Sequence, residues 1–204
     1  MYNNYIGLLG FCVRIREVNE TVMIIKTIPR IEPGNILRQT TLAAISDAAF
    51  MTNEYLMREY ADGILSGCEL ETTEDAIIVK EGAVFLEKEI FLIKKPLIIN
   101  YSPTNTTVVL KMCFSSVISD NNCTYRDMDL EITRDMTCKP GQIELCRFKL
   151  QEGAKLRCKY QDFKDRSTEF DTMNRIHAPY AAYGGSTLTP EITREYAQNL
   201  MDSA

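Results

Sequence analysis

Residues 62–114 read DGILSGCELETTEDAIIVKEGAVFLEKEIFLIKKPLIINYSPTNTTVVLKMCF, and this stretch decides the fold. Short apolar, β-branched runs at 77–79, 84–86, 90–93, 97–101 and 108–114 are parted by turn or polar signals. These signals are Asp62-Gly63, Ser66-Gly67, Glu81-Gly82, Pro96 and Ser102-Pro103. Strands this short, divided this often, cannot each bury a core and must pair with one another. The pattern predicts a mainly β fold, either a β-sandwich or a small antiparallel barrel.

The β character continues towards residue 158. Met128, Leu130 and Ile132 alternate with Asp127, Asp129, Glu131 and Thr133, which predicts a strand with one buried and one wet face. From Gln142 the parity is mixed. Ile143 and Leu145 fall on one side, Cys146, Phe148 and Leu150 on the other, as a β-bulge or burial on both faces would produce.

On the N-terminal side, Phe11, Val13 and Ile15 alternate with Cys12, Arg14 and Arg16. A turn at 17–20 and an apolar face of Val22, Ile24 and Ile28 then complete a hairpin arm over 1–34. The arm stops at Pro29 and Pro33-Gly34, because proline removes a ladder donor. Between 40 and 60 the period becomes helical through Leu42, Ile45, Ala49, Leu56 and Tyr60. This predicts one short helix, or two with a break near Thr52-Asn53, capped by Thr40 or Thr41 and ended at Asp62-Gly63.

Beyond Tyr160 the chain has little periodicity, which predicts an extended segment wrapping over a surface. A C-terminal helix follows, with Thr189 as N-cap, Pro190 at the first position and Glu191 favouring the N-terminal dipole. Ile192, Tyr196, Leu200 and Met201 supply its stripe, to dock on the body or on a neighbour. The organisation is therefore 1–62 arm and helix, 63–160 β-rich body, and 161–204 wrapping segment and C-terminal helix.

A chain of 204 residues can bury roughly 70% of its unfolded surface, so a core forms without staples. The net charge of −5 and the absence of a Lys/Arg cluster argue against nucleic acid, whose binders gain affinity by releasing counterions. Seven widely spaced cysteines with no CxxC pair read as small apolar side chains rather than as a disulfide framework or zinc site. No signal-peptide pattern and no membrane-length apolar run is present, which predicts synthesis in the cytoplasm without secretion by signal peptide or membrane insertion.

Catalytic and cofactor signatures are sparse. His177 is the only histidine, and no G-x-S-x-G elbow or cysteine-nucleophile signature accompanies it. The sequence has neither G-x-x-x-x-G-K-[ST] nor G-x-G-x-x-G, so no phosphate cradle or cofactor is expected. Asp127, Asp129 and Glu131 read as a wet strand face rather than a metal site, because a calcium cage needs ligands converging from several directions. The candidate interface or ligand surface is aromatic: Phe163, Phe170, Tyr180 and Tyr183, with His177 beside them. Such residues either present a surface to a partner or sugar, or anchor an irregular tail to its own body.

Two blocks carry a resemblance. The first is Tyr60-Ala61-Asp62-Gly63-Ile64-Leu65-Ser66-Gly67-Cys68, followed by Ile78-Val79-Lys80-Glu81-Gly82. The second runs from Ile143 through Cys146-Arg147-Phe148 to Thr168-Glu169-Phe170-Asp171-Thr172, then Ile176-His177-Ala178-Pro179-Tyr180 and the terminal helix. Together they resemble tail or baseplate-associated proteins of prophages and phage-tail-like elements of gut Firmicutes, over about two thirds of the chain. The resemblance implies a non-enzymatic structural component of a virion or tail-like particle, made in the bacterial cytoplasm. It would act by assembly with other tail or baseplate proteins and as a homo-oligomer, trimer or dimer. The alternative it leaves is a carbohydrate- or cell-surface-binding module of the same kind of particle, with a glycan as ligand.

Overall fold

The computed structural model describes residues 33, 36, 38–119, 124–159, 165 and 171–202. The expected hairpin over 1–34 lies outside the described residues except for Pro33, and Phe163 and Phe170 lie outside them altogether. The chain divides into two compact units, Met1–Met51 and Thr52–Ala204.

In the first unit, helix α1 spans Gln39–Ala49. It starts earlier than the threonines suggested. Arg38 is the N-cap, in extended conformation and without a side-chain cap bond, which puts Thr40 and Thr41 inside the first turn. The Phe50 N–H donates to the Ser46 carbonyl and closes the helix. Helix α2 (Met51–Leu56), which belongs to the second unit beyond Met51, follows at once, so the break falls at Phe50 and not near Thr52-Asn53. Neither helix contains a buried side chain.

The second unit is mainly β. Its five-stranded sheet runs β13 (Gly185–Thr187), β12 (Tyr180–Ala182), β1 (Gly63–Gly67), β4 (Gly82–Leu86), β5 (Glu89–Ile93). A three-stranded sheet orders β2 (Leu70–Thr72), β3 (Ala76–Val79) and β6 (Leu97–Asn100). Another orders β10 (Met128–Thr133), β7 (Val108–Phe114) and β11 (Gln142–Phe148), and β8 (Ile118–Ser119) pairs with β9 (Thr124–Tyr125). Every sheet has two free edges among the described residues, so the arrangement is sandwich-like and open, and the barrel alternative does not hold.

One core joins the three larger sheets. Ile64, Val84 and Leu86 from the first meet Ile77 and Val79 from the second, and Leu110, Met112, Leu145 and Phe148 from the third. The parity shift in β11 has both of its possible causes. Register slips between Glu144 and Cys146, leaving Leu145 as the extra residue, and Glu144, Leu145 and Cys146 are all buried. In β10 the expected alternation holds, with Met128, Leu130 and Ile132 packed on the core and Asp129 and Glu131 exposed.

The glycines of the opening stretch are needed where β1 and β4 cross closely. Gly67 has φ +65°, and a Cβ there would lie 2.2 Å from the Glu81 carbonyl oxygen. A Cβ on Gly82 would meet the Cys68 amide nitrogen at 2.5 Å. Only glycine tolerates both a left-handed backbone and such approach.

The region after 160 does more than wrap. β12 joins the five-stranded sheet parallel to β1, with Ile64 opposite Tyr180, and β13 forms the sheet edge. Strands of three residues are too short for a sequence period to reveal them. Helix α3 (Pro190–Asp202) begins as expected after Thr189, whose carbonyl accepts from the Ile192 and Thr193 amides. Its stripe is only partly used: Ile192 is buried, while Tyr196 and Met201 are 58% and 74% exposed. No helix among the described residues is long and apolar enough to cross a membrane.

Candidate functional site

A cleft of about 600 Å³ has Asp62, Glu87, Cys138, Gln142, Glu144 and His177 among its lining residues. Three elements build it. The β4–β5 turn brings Glu87, whose φ of 53° and that of Lys88 at 69° mark a tight hairpin. The Asp62 carboxylate fixes this turn by accepting the Glu87 amide at 3.0 Å. The loop into β11 supplies Cys138 through Glu144. The turn ahead of β12 supplies His177, held where the Ala178 amide donates to Arg175 and the Pro179 carbonyl accepts from Ile64.

Leu86, Pro140, Ile143 and Pro179 give the same cleft an apolar wall. Both Glu144 oxygens are taken by Arg147, at 2.7 and 2.9 Å, so that buried carboxylate is not free to act as a base. Cys138 is exposed here, and partial burial of its sulfur raises the thiol above its ordinary value, with Lys111 pulling the other way. Among the described residues His177 forms no hydrogen bond with Cys138, Asp62 or Glu144. His177 is exposed at the cleft wall, without the base–nucleophile contact that activation requires. No group of three or more His, Cys, Asp or Glu able to hold a metal occurs among the described residues, and the five described cysteines are free.

The structure separates the aromatic residues that sequence grouped together. Tyr180 is 9% exposed, and its hydroxyl accepts from Arg175 Nη2 at 2.9 Å. Burial lifts its phenol above the ordinary range. It is therefore core rather than surface. Tyr183 is 77% exposed and packs edge-to-face on Tyr60, with ring centroids 6.2 Å apart. Tyr60, assigned from sequence to the helical stripe, instead makes an antiparallel bridge with Tyr183.

Sequence reasoning passed over Arg175. It is 4% exposed and reaches three parts of the unit: Tyr180 in β12, the Cys68 carbonyl at 3.4 Å after β1, and Glu191 at 3.6 Å in the first turn of α3. A lone arginine in an irregular segment carries no pattern, so nothing in the sequence could have singled it out. Its role is to tie α3 to the five-stranded sheet.

No family model, curated protein or solved structure matched the chain.

Proposed function

We propose that the protein is a non-enzymatic structural component of a phage or prophage tail or baseplate, acting by protein–protein assembly. The observation that carries this reading is large apolar side chains left in solvent on the second unit. Tyr196 and Met201 on α3 and Tyr183 on the β12–β13 hairpin are all largely exposed. Exposed apolar surface of this kind is a mark of interaction sites. In the cleft His177 contacts no nucleophile among the described residues, which favours architecture over catalysis. The tail-protein resemblance of the two blocks supplies the kind of assembly.

The test is co-sedimentation. Tail-like particles induced from a host carrying the gene are banded on a density gradient and probed for this protein. Presence in the particle band at constant stoichiometry is the expected result, and a strictly monomeric protein absent from the particles overturns the reading. A second reading, a glycan-binding module, is favoured by the exposed Tyr183 ring on Tyr60. A glycan array comparing wild type with Tyr183→Ala tests it. Binding lost in the variant supports it, and no binding by wild type removes it.

A further inference from the structure

The five-stranded sheet ends at β13, and among the described residues this edge is open. Gly185, Ser186 and Thr187 are all exposed, and a Cβ added to Gly184 or Gly185 would meet nothing within 4 Å. The pairing with β12 fixes which backbone groups the edge presents. Ala182 and Gly185 are partners across the two-residue turn Tyr183-Gly184, so they form the hydrogen-bonded pair that closes the hairpin. Bonded and non-bonded pairs alternate along an antiparallel ladder, which makes Ala181–Ser186 non-bonded and Tyr180–Thr187 bonded. The Ser186 N–H and carbonyl therefore both point away from β12, a template for a further strand.

The composition of the edge selects that strand. β2, β5 and β10 are also edge strands, and they carry Glu71, Glu89, and Asp129 with Glu131, so pairing any of them with its own copy brings like charges together. β13 reads Gly-Ser-Thr and carries no charge. An antiparallel pair centred on one residue has a two-fold axis, so the same patch serves both sides. Centred on Ser186, it sets each Ser186 opposite the other, with two N–H to carbonyl bonds between them. Leu188 then falls opposite Gly184 of the second copy, where no side chain stands in its way, and beside Tyr183 of that copy. Leu188 keeps the sheet face of Ser186 two positions earlier, and Tyr183 keeps that of Ala181, the partner of Ser186. Tyr183 and Leu188 are both exposed in the single chain, and in the pair they meet on one face.

We infer that β13 is a contact between two copies of this chain, joined antiparallel about a two-fold axis at Ser186 so that their five-stranded sheets become continuous. The inference rests on the assembly reading and names the contact between copies within it.

Two substitutions at Ser186 in the full-length protein test it. A hydrogen-bonded antiparallel pair holds its Cα atoms about 5.5 Å apart, within the span a disulfide bridges. Ser186→Cys should therefore cross-link into dimers under mild oxidation, read on a non-reducing gel. Wild type should not, nor should Thr187→Cys, which lies two residues out of register with its own copy. Ser186→Pro removes an N–H that the hairpin itself does not use, so the variant should melt with wild type. Light scattering over a concentration series should show wild type as a dimer and Ser186→Pro about tenfold weaker, for the two bonds lost. A wild type that stays monomeric at every concentration overturns the inference. So does a dimer in which Ser186→Cys forms no cross-link, or one that Ser186→Pro leaves as tight as before. Should Ser186→Pro melt lower, the cross-link alone decides. Particles that hold the protein while Ser186→Cys stays uncross-linked refute this contact and leave assembly intact, whereas cross-linking in a protein absent from particles refutes the tail reading alone.

Discussion

Gly82 sits at the tightest point of the β1–β4 crossing, where an added methyl would meet the Cys68 amide nitrogen, the Cys68 sulfur and the Ser66 carbonyl oxygen, all within 2.6 Å. Two of these are backbone atoms and cannot swing aside. Gly82→Ala should therefore cost about 1–3 kcal/mol, the range for overpacking a core, seen as a lower urea midpoint at unchanged slope. Cys68 at the same crossing links stability to alkaline pH. Its thiol ordinarily ionises near 9.0, and burial lifts it to about 11, while fully buried Cys146 is lifted to about 12. Below pH 9 folded and unfolded chains both keep these protons, and stability is at its full value. As pH rises further, the unfolded chain releases them first, so stability falls until the folded thiols ionise too. Urea midpoints measured from pH 8 upward should show this decline, and Cys68→Ala should make it shallower. An unchanged slope in that variant would place the alkaline sensitivity elsewhere.

Among the elements, α3 departs most from what its residue types suggest. Thr189 stands at the N-cap position, where a hydroxyl normally accepts a helix amide and its loss costs about 1 kcal/mol. Here the residue is completely buried and its hydroxyl has no partner among the described residues, while its backbone carbonyl takes the helix amides. Thr189→Val keeps the shape and removes an unsatisfied polar atom. It should therefore leave stability within about 0.5 kcal/mol of wild type or raise it, since a hydroxyl without a partner contributes only its desolvation cost. A loss near 1 kcal/mol by thermal or urea unfolding would show that the hydroxyl does cap. Arg175 holds the same helix start through Glu191, so α3 is fixed by a long-range contact that its own sequence does not contain. The strands were more legible. β3, β4, β5, β6 and β7 fall on the apolar runs of residues 62–114, because each run is bounded by a turn residue that physically stops pairing. β12 and β13 were not legible, since strands of three residues leave no period, and the other neighbour of β12 lies more than a hundred positions away.

At the level of the molecule, what was legible is the mainly β body, and what was not is where its surfaces lie. Tyr180 and Tyr183 are equivalent in sequence, yet Tyr180 sits in β12 beside β1 and closes on Arg175, while Tyr183 lies past the end of β12 and faces solvent. Composition does not encode that difference until the partner strand is known. In α3 Ile192 and Tyr196 share one face at i,i+4 spacing, yet only Ile192 is buried, while Tyr196 and Met201 stay exposed. These two side chains offer a test that separates assembly from folding. Removing exposed apolar area costs the isolated protein little, since surface substitutions away from special features fall within about 0.5 kcal/mol. Removing it from an interface core costs much more, as aromatic anchors dominate binding energy. Tyr196→Lys with Met201→Lys should therefore melt with wild type in isolation, and should lose most of its incorporation into tail-like particles at equal expression. Full incorporation of the double variant would show that α3 does not present the assembly surface. A large drop in its melting temperature would show that these side chains support the fold instead.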